Sequence, residues 1–370
     1  MAINISDLQK IIQEPSAAAR AEVAEKISLA FAEGEFIDNE KRIAIEIFRL
    51  LVKDVEIQVR KILSNNLAES IEAPHDVILK LASDLAEISL PVLEKSFVLT
   101  ESDLIDITKS SKNVEVMSAI ARREIISPEL SVELVKKENP QVIKTLLRNG
   151  NANIDELGFG HVYNLFGNDA DIVDLMGKRK NLPAKFVEKI FVIVSDEVKR
   201  IMTSQYNIPM KVADSSAHYA RELATLGLID QSMSNMDTTD LVVHLHAAGR
   251  LNTSLVIRSL CLGNLRFFEH AMAVLSGISV INAQLLILDN SMGFDALYKK
   301  TELPIELFPA IRHLLKIVIE ETNGGRYQRS DFKKILTSRL LEDKNIHEID
   351  YMDYIITIIQ NNQRSNAQAC

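Results

Sequence analysis

Between Val59 and Met176 the chain repeats one apolar pattern, and few folds accommodate such a repeat. Around Leu63, Leu93, Ala121, Leu147 and Met176, apolar residues recur at the anchor, one position before it and four before it. The triplets are Val59/Ile62/Leu63, Met117/Ile120/Ala121, Ile143/Leu146/Leu147 and Ile172/Leu175/Met176, with a degenerate Ser89/Val92/Leu93 copy between the first two. Offsets of one and four place three side chains on one face of an α-helix. The anchors lie 30, 28, 26 and 29 residues apart, which is room for two short helices and two turns. A unit of that size cannot bury its stripe alone, so copies must stack into a helical solenoid.

The second helix of each unit is announced by its start. Pro74, Pro128 and Pro183 precede the apolar-periodic segments Pro74 to Leu81, Pro128 to Val135 and Pro183 to Ile190. Proline suits a first helical position, where its missing N–H has no intrahelical acceptor and its φ is already helical. The other units carry Thr100 with Asp103, and Asp155 with Glu156, which place acceptors and negative charge where backbone N–H groups are free. Two longer helices precede the repeats. One runs from Ser16 to Ala32 with a Val23/Ile27/Ala30/Phe31 stripe and closes at Gly34; the next starts at Asp38 with Ile43, Ile47, Leu50 and Leu51. An earlier helix is expected to open at Ser6 and end at Pro15.

After Tyr206 the period is lost. Helical segments continue from Pro209 to Leu226, which Gly227 ends, and from Thr239 to Gln360, punctuated by Gly249, Gly263, Gly277, Gly293 and Gly324/Gly325. No Asn-Gly or Asp-Gly turn joins two alternating runs, so no β-hairpin is expected. The expected fold is all-α: an α-solenoid of HEAT-like helical hairpins at 54–207, between an N-terminal helical cap at 1–53 and a C-terminal helical domain at 208–361, followed by a flexible tail at 362–370.

Composition then narrows function. Aromatic residues are 5% with no Trp, which counts against base-stacking and sugar-stacking sites. Residues 1–110 hold 12 Lys/Arg against 20 Asp/Glu, residues 111–200 hold 14 against 13, and residues 201–370 hold 16 against 18. The acidic first third would be repelled by nucleic acid and by anionic lipid. Two distant cysteines, Cys261 and Cys370, form no disulfide framework or metal knuckle, and no apolar run approaches the ~20 residues of a membrane span. A soluble, cytoplasmic protein with no transmembrane segment is expected.

No catalytic constellation, cofactor motif or metal-ligand spacing emerges. His244 and His246 lie two apart, about 200° around a helix, so they cannot share one ion. Cys261 sits between Leu260 and Leu262, the setting of an inert core thiol, and Gly158 and Gly160 read as a helix break. The residues that invite an interaction surface are basic: Lys95, Arg122, Arg123, Arg148, Lys178 and Arg179 recur just after the first-helix cores, and stacking would align them along one edge. They can serve helix C-termini, whose free carbonyls favour cations, or track phosphates. The first use is preferred. Phe267 and Phe268 are read as a buried pair, with exposure of one ring making a partner anchor.

Leu241-Val-Val-His-Leu-His-Ala-Ala-Gly-Arg-Leu-Asn-Thr-Ser-Leu-Val-Ile-Arg-Ser-Leu, continuing through Gly263 to Phe267-Phe268 and Ala271 to Gly277, resembles the hallmark block of an alphaproteobacterial domain-of-unknown-function family. Pro15 to Arg20 and Leu50 to Arg60 are similar to the same family's pattern. The resemblance covers nearly the whole chain and implies no catalytic residues. The expected function is a non-enzymatic scaffold or regulator that holds a protein partner or itself. The alternatives are a nucleic-acid binder, glycosylase-like, using the basic edge, and a second-messenger or other small-molecule sensor with a polar pocket between the repeats and the C-terminal domain around His244, Arg250 and Arg258.

Overall fold

The computed structural model describes residues 16–230, 235–289, 292–323, 332–342 and 349–367. The expected Ser6 helix and the Gly324/Gly325 break lie outside them, as do His347 and Cys370. Every element named among the described residues is a helix; the one extended feature is an isolated parallel bridge between Ile126 and Ala152. The all-α expectation holds. The chain divides into two compact units, Met1–Leu182 and Pro183–Cys370.

The first unit contains α1 (Ala17–Ala32), α2 (Asp38–Leu51), α3 (Ile57–Leu67), α4 (His75–Ala82), α5 (Ala86–Lys95), α6 (Glu101–Ser110), α7 (Val114–Ala121), α8 (Pro128–Val135), α9 (Pro140–Arg148), α10 (Glu156–Phe166) and α11 (Ala170–Gly177). The odd-numbered helices pack in series, α1 on α3, α3 on α5, and so on to α11, while α6, α8 and α10 pack in a parallel series. Each hairpin thus covers the apolar face of the one before it. The anchors Leu63, Leu93, Ala121, Leu147 and Met176 are all buried, while Ile62 and Leu175 are half-buried at the margin. The segment expected as a distinct cap joins this series, since α1 packs along α3 as α3 does along α5. In α2 the buried stripe is Ala44/Ile47/Phe48/Leu51, rotated from the expected one, and Ile43 and Leu50 are exposed. Phe48 turns inward because its ring meets Phe31 edge-on at 5.2 Å.

Caps behave as their chemistry requires. Thr100 and Asp103 form a reciprocal capping box, and Asp155 accepts from the Gly158 N–H at 2.7 Å. Pro128 is the first residue of α8, whereas Pro74 and Pro183 sit one position earlier, at the cap itself. Gly158 and Gly160 do not break α10 but lie within it. A Cβ on Gly158 would stand 2.9 Å from Ile154 Cγ2, so the glycine lets the helix start pack closely.

The second unit contains α12 (Ala184–Ser204), α13 (Met210–Asp230), α14 (Asn235–Ala247), α15 (Thr253–Cys261), α16 (Leu265–Ser276), α17 (Val280–Leu288), α18 (Gly293–Tyr298), a 3-10 turn (Ile305–Leu307), α19 (Phe308–Asn323), α20 (Phe332–Glu342) and α21 (Met352–Ala367). The apolar-periodic segment expected at Pro183 to Ile190 is the start of a helix that runs on to Ser204 and belongs to this unit, because Val194, Val198, Ile201 and Met202 extend the helical stripe of Ile190 and Phe191. Likewise α13 continues through Gly227, and α21 runs into the stretch assigned to a tail. Phe267 and Phe268 are both buried in one core with Leu245, Val256, Leu260, Met272, Phe294 and Leu314.

Candidate interaction surface

Successive hairpins of the first unit are joined by polar bonds at the turns that follow α3, α5, α7 and α9. Lys95 Nζ reaches Glu69 at 2.7 Å, and Arg122 Nε reaches Glu94 at 2.8 Å. Arg123 is buried and donates to the Leu93 and Ser96 carbonyls, each at 2.6 Å. Asn149 Nδ2 donates to the Ala121 and Arg123 carbonyls, and Arg179 to those of Asn149 and Ala152. These acceptors are the free carbonyls at a helix C-terminus. The cations serve the end of the preceding hairpin, not of their own, and desolvation pushes the Arg123 and Arg179 pKa values below the usual arginine range.

The basic residues singled out in the sequence therefore divide by use. Lys95, Arg122, Arg123 and Arg179 link hairpins, while Lys178 pairs with Asp174 one turn earlier at 2.6 Å. Arg148 is exposed, and its charge helps to lower the pKa of Asp171, behind the hydrogen bond and charge of Lys144.

The same turns carry a feature that the sequence pattern did not isolate. Ile71, Phe97 and Ile125 each follow by two residues a side chain of the linking series, Glu69, Lys95 and Arg123. Their relative exposures are 77%, 56% and 71%. Single exposed apolar residues are ordinary on protein surfaces. Here one stands in each of three successive turns, four residues before the next helix at Ile71 and Phe97 and three before it at Ile125. Lys95 binds Glu69 and Arg123 binds the Ser96 carbonyl, so the three turns that carry these apolar residues are tied in succession. Carboxylates of Glu69, Glu72, Glu94, Glu101, Glu124 and Glu129 lie in or beside these turns; Glu69, Glu72 and Glu94 are paired with Lys95, Lys41 and Arg122.

In the second unit, His244 and Arg250 converge on Glu188, a carboxylate buried in the first turns of α12. His244 Nε2 lies 2.8 Å from Glu188 Oε2, and Arg250 pairs with Oε1. The left-handed Gly249, at φ 66°, turns the chain so that Arg250 faces back onto α12. Arg258 stands over the Tyr219 ring, 6.0 Å from its centre, and 3.5 Å from Glu222. Next to these pairs is a 370 Å³ polar pocket lined by residues including Ser215, His218, Tyr219, Glu222, Arg250 and Asn252. His246 is exposed on the far side of α14 from His244, as a two-residue offset requires. Among the described residues no group of three His, Cys, Asp or Glu could hold a metal ion. Among them also, no single helix is long and apolar enough to cross a membrane.

In comparisons with known proteins, the profile of a family described as an uncharacterised protein conserved in bacteria (DUF2336) matches residues 88–343. No curated protein and no solved structure matches the chain.

Proposed function

The chain belongs to the bacterial DUF2336 family, and on that footing we propose that it is a non-enzymatic binding protein whose first unit, a HEAT-like stack, holds a segment of another protein. The observation that carries this reading is the exposure of Ile71, Phe97 and Ile125 on three turns tied in succession, with Glu124 and Glu129 exposed beside Ile125. Packed helices lie ~8–10 Å apart, and one three-residue turn of polyproline II chain rises ~9 Å with side chains i and i+3 on one face, so a segment in that conformation with an apolar residue at every third position matches the spacing of successive turns. The carboxylates around them select Lys or Arg at the positions between. Cationic partners also gain in association rate from such carboxylates, and lose it as salt rises. The distribution of the cations supports this reading over a phosphate track, since four of the six basic residues are used between hairpins. A cytoplasmic setting suits the free thiol of Cys261.

Selection from a displayed peptide library, followed by anisotropy titration, tests it. Enriched sequences should carry apolar residues three apart with intervening Lys or Arg. The triple variant Ile71→Ser, Phe97→Ser, Ile125→Ser should lose binding while keeping its helical circular dichroism, and Arg148→Ala should bind normally. Equal binding by the triple variant would end the proposal.

A small-molecule site in the second unit is the alternative favoured by a specific observation, the polar pocket beside Arg250 and Tyr219. It predicts a thermal shift with an anionic metabolite or nucleotide that Arg250→Ala abolishes. No shift across such a panel removes it.

A further inference from the structure

The helices α12 and α13 form an antiparallel pair of 21 residues each, the longest in the protein among the described residues. Only their ends enter the core. In α12 the buried residues are Phe186, Glu188 and Ile190, all in the first two turns, and no residue from 191 to 204 is buried. On α13 the stretch 210–224 buries Ala213 and Ala217 alone. Between the two runs an apolar groove of 340 Å³, lined by residues including Phe191, Val194, Val198 and Met202 on α12 and Ala220 and Ala224 on α13, lies open. Val194 and Val198 are 52% and 48% exposed.

The two sides of this groove differ systematically in size. Arg221 binds Ser195 and Asp196, and Lys199 binds Asp214, which fixes the register of the pair. At that register Phe191 stands level with Ala224, Val194 with Ala220, Val198 with Ala217 and Met202 with Ala213. Every level thus has a large residue on α12 beside a small one on α13. A two-fold axis parallel to the helices would lay α12 of one copy over α13 of the other without changing heights, so Val194 and Phe191 of one copy would meet Ala220 and Ala224 of the other, the two alanines of the groove that are not already buried within the chain. Four-helix layers with two large and two small residues fill space at native density, and an isologous contact demands this kind of self-complementarity.

We propose that a second copy of this chain occupies the groove, and that the protein forms a two-fold dimer through an α12–α13 four-helix bundle. A partner helix of another protein would need no such level-by-level match within one surface. The exposed arm is about 20 Å long and two helices, ~20 Å, wide, a footprint below that of a standard interface, so the dimer is reversible and depends on concentration.

Sedimentation velocity of the full chain from about 1 to about 200 µM should show a monomer–dimer transition, a range that brackets micromolar affinity. Val198→Glu, at an exposed position, should raise the dissociation constant at least about tenfold with unchanged circular dichroism. A second measurement locates the contact: in a Cys370→Ser background, protein carrying Val194→Cys mixed with protein carrying Ala220→Cys should give an oxidised cross-linked dimer in excess of either alone. A monomer throughout the range, or a dimer that Val198→Glu leaves intact, overturns the proposal. A dimer without the mixed cross-link overturns the geometry. None of these outcomes bears on the exposed apolar residues of the first unit, which the peptide titration tests separately.

Discussion

Arg123 Nη2 donates to the carbonyl of Ser96, the residue that ends α5 in the preceding hairpin, at 2.6 Å, while its Nη1 takes the Leu93 carbonyl of the same helix. A buried guanidinium with this pairing holds two hairpins at a fixed offset. Phe97 and Ile125 follow the two bonded residues by one and two positions, and both are exposed.

Removing it should be costly. Arg123→Ala leaves two carbonyls short of a charged donor, and a buried acceptor stripped of its partner costs ~1–3 kcal/mol. Urea unfolding followed by circular dichroism should show a loss of about 2–4 kcal/mol for Arg123→Ala, against under ~0.5 kcal/mol for the exposed Arg148→Ala. Comparable effects at the two sites would show that the link contributes little.

Gly263 and Gly34 both have positive φ, 77° and 71°, but their surroundings differ. A Cβ on Gly263 would stand 2.8 Å from the buried Phe332 ring, whereas nothing lies within 4 Å of the same position on Gly34. Gly34→Ala should therefore cost only the backbone strain, ~1 kcal/mol. Gly263→Ala adds overpacking and should cost ~2–4 kcal/mol in the same unfolding measurement.

Burial pushes the Cys261 thiol pKa up to about 12, despite the charge of Arg258 and a backbone hydrogen bond that act the other way. With so little thiolate at pH 8, and no access, Cys261 should not react with a thiol reagent in native Cys370→Ser protein. In denaturant one thiol per chain should appear at once. Rapid labelling of the native variant would contradict the packing of α15.

Acid should destabilise the protein in two stages. His270 is buried beside Arg266, and desolvation and then that charge lower its pKa. The unfolded chain therefore takes up this proton first, and stability falls as pH drops below ~6.5 towards the lower folded value. Asp54 and Asp84 act lower down. Burial raises both, but hydrogen bonds from Arg20 to Asp54 and from Arg60 to Asp84, with nearby backbone amides and arginine charges, outweigh it and hold them below the ordinary value. Their stabilisation is present above ~3.9 and is lost as pH falls through the folded values. Urea midpoints at pH 7.5, 5.5 and 3.5 read both stages; a midpoint unchanged from 7.5 to 5.5 would count against a buried, neutral His270.

Much of this was legible in the residues. The triplets around Leu63, Leu147 and Met176 announce buried helix faces, and Thr100/Asp103 and Asp155 announce helix starts, because burial period and free backbone N–H groups are local constraints. The direction in which α2 turns its stripe was not. Phe48 is inward and Leu50 outward because Phe31, seventeen residues earlier, offers a ring contact. The full length of the helix that follows Pro183 was not legible for a related reason, since a proline start says nothing about where the apolar stripe stops.

By itself the sequence determined an all-α chain, the hairpin period, and which helical faces must be covered, since helix faces follow from spacing within a dozen residues and the period from the recurrence of those faces every 26–30 residues. Tertiary structure decided what the remaining side chains are for. Only stacking could turn Arg123 and Arg179 from a basic edge into links between hairpins. Only stacking could tie the turns that carry Ile71, Phe97 and Ile125, separated by 26 and 28 residues, to one another. Likewise only folding could set His244 and Arg250 on a carboxylate 56 and 62 positions away. Such relations join residues through packing distance, which a one-dimensional period cannot encode.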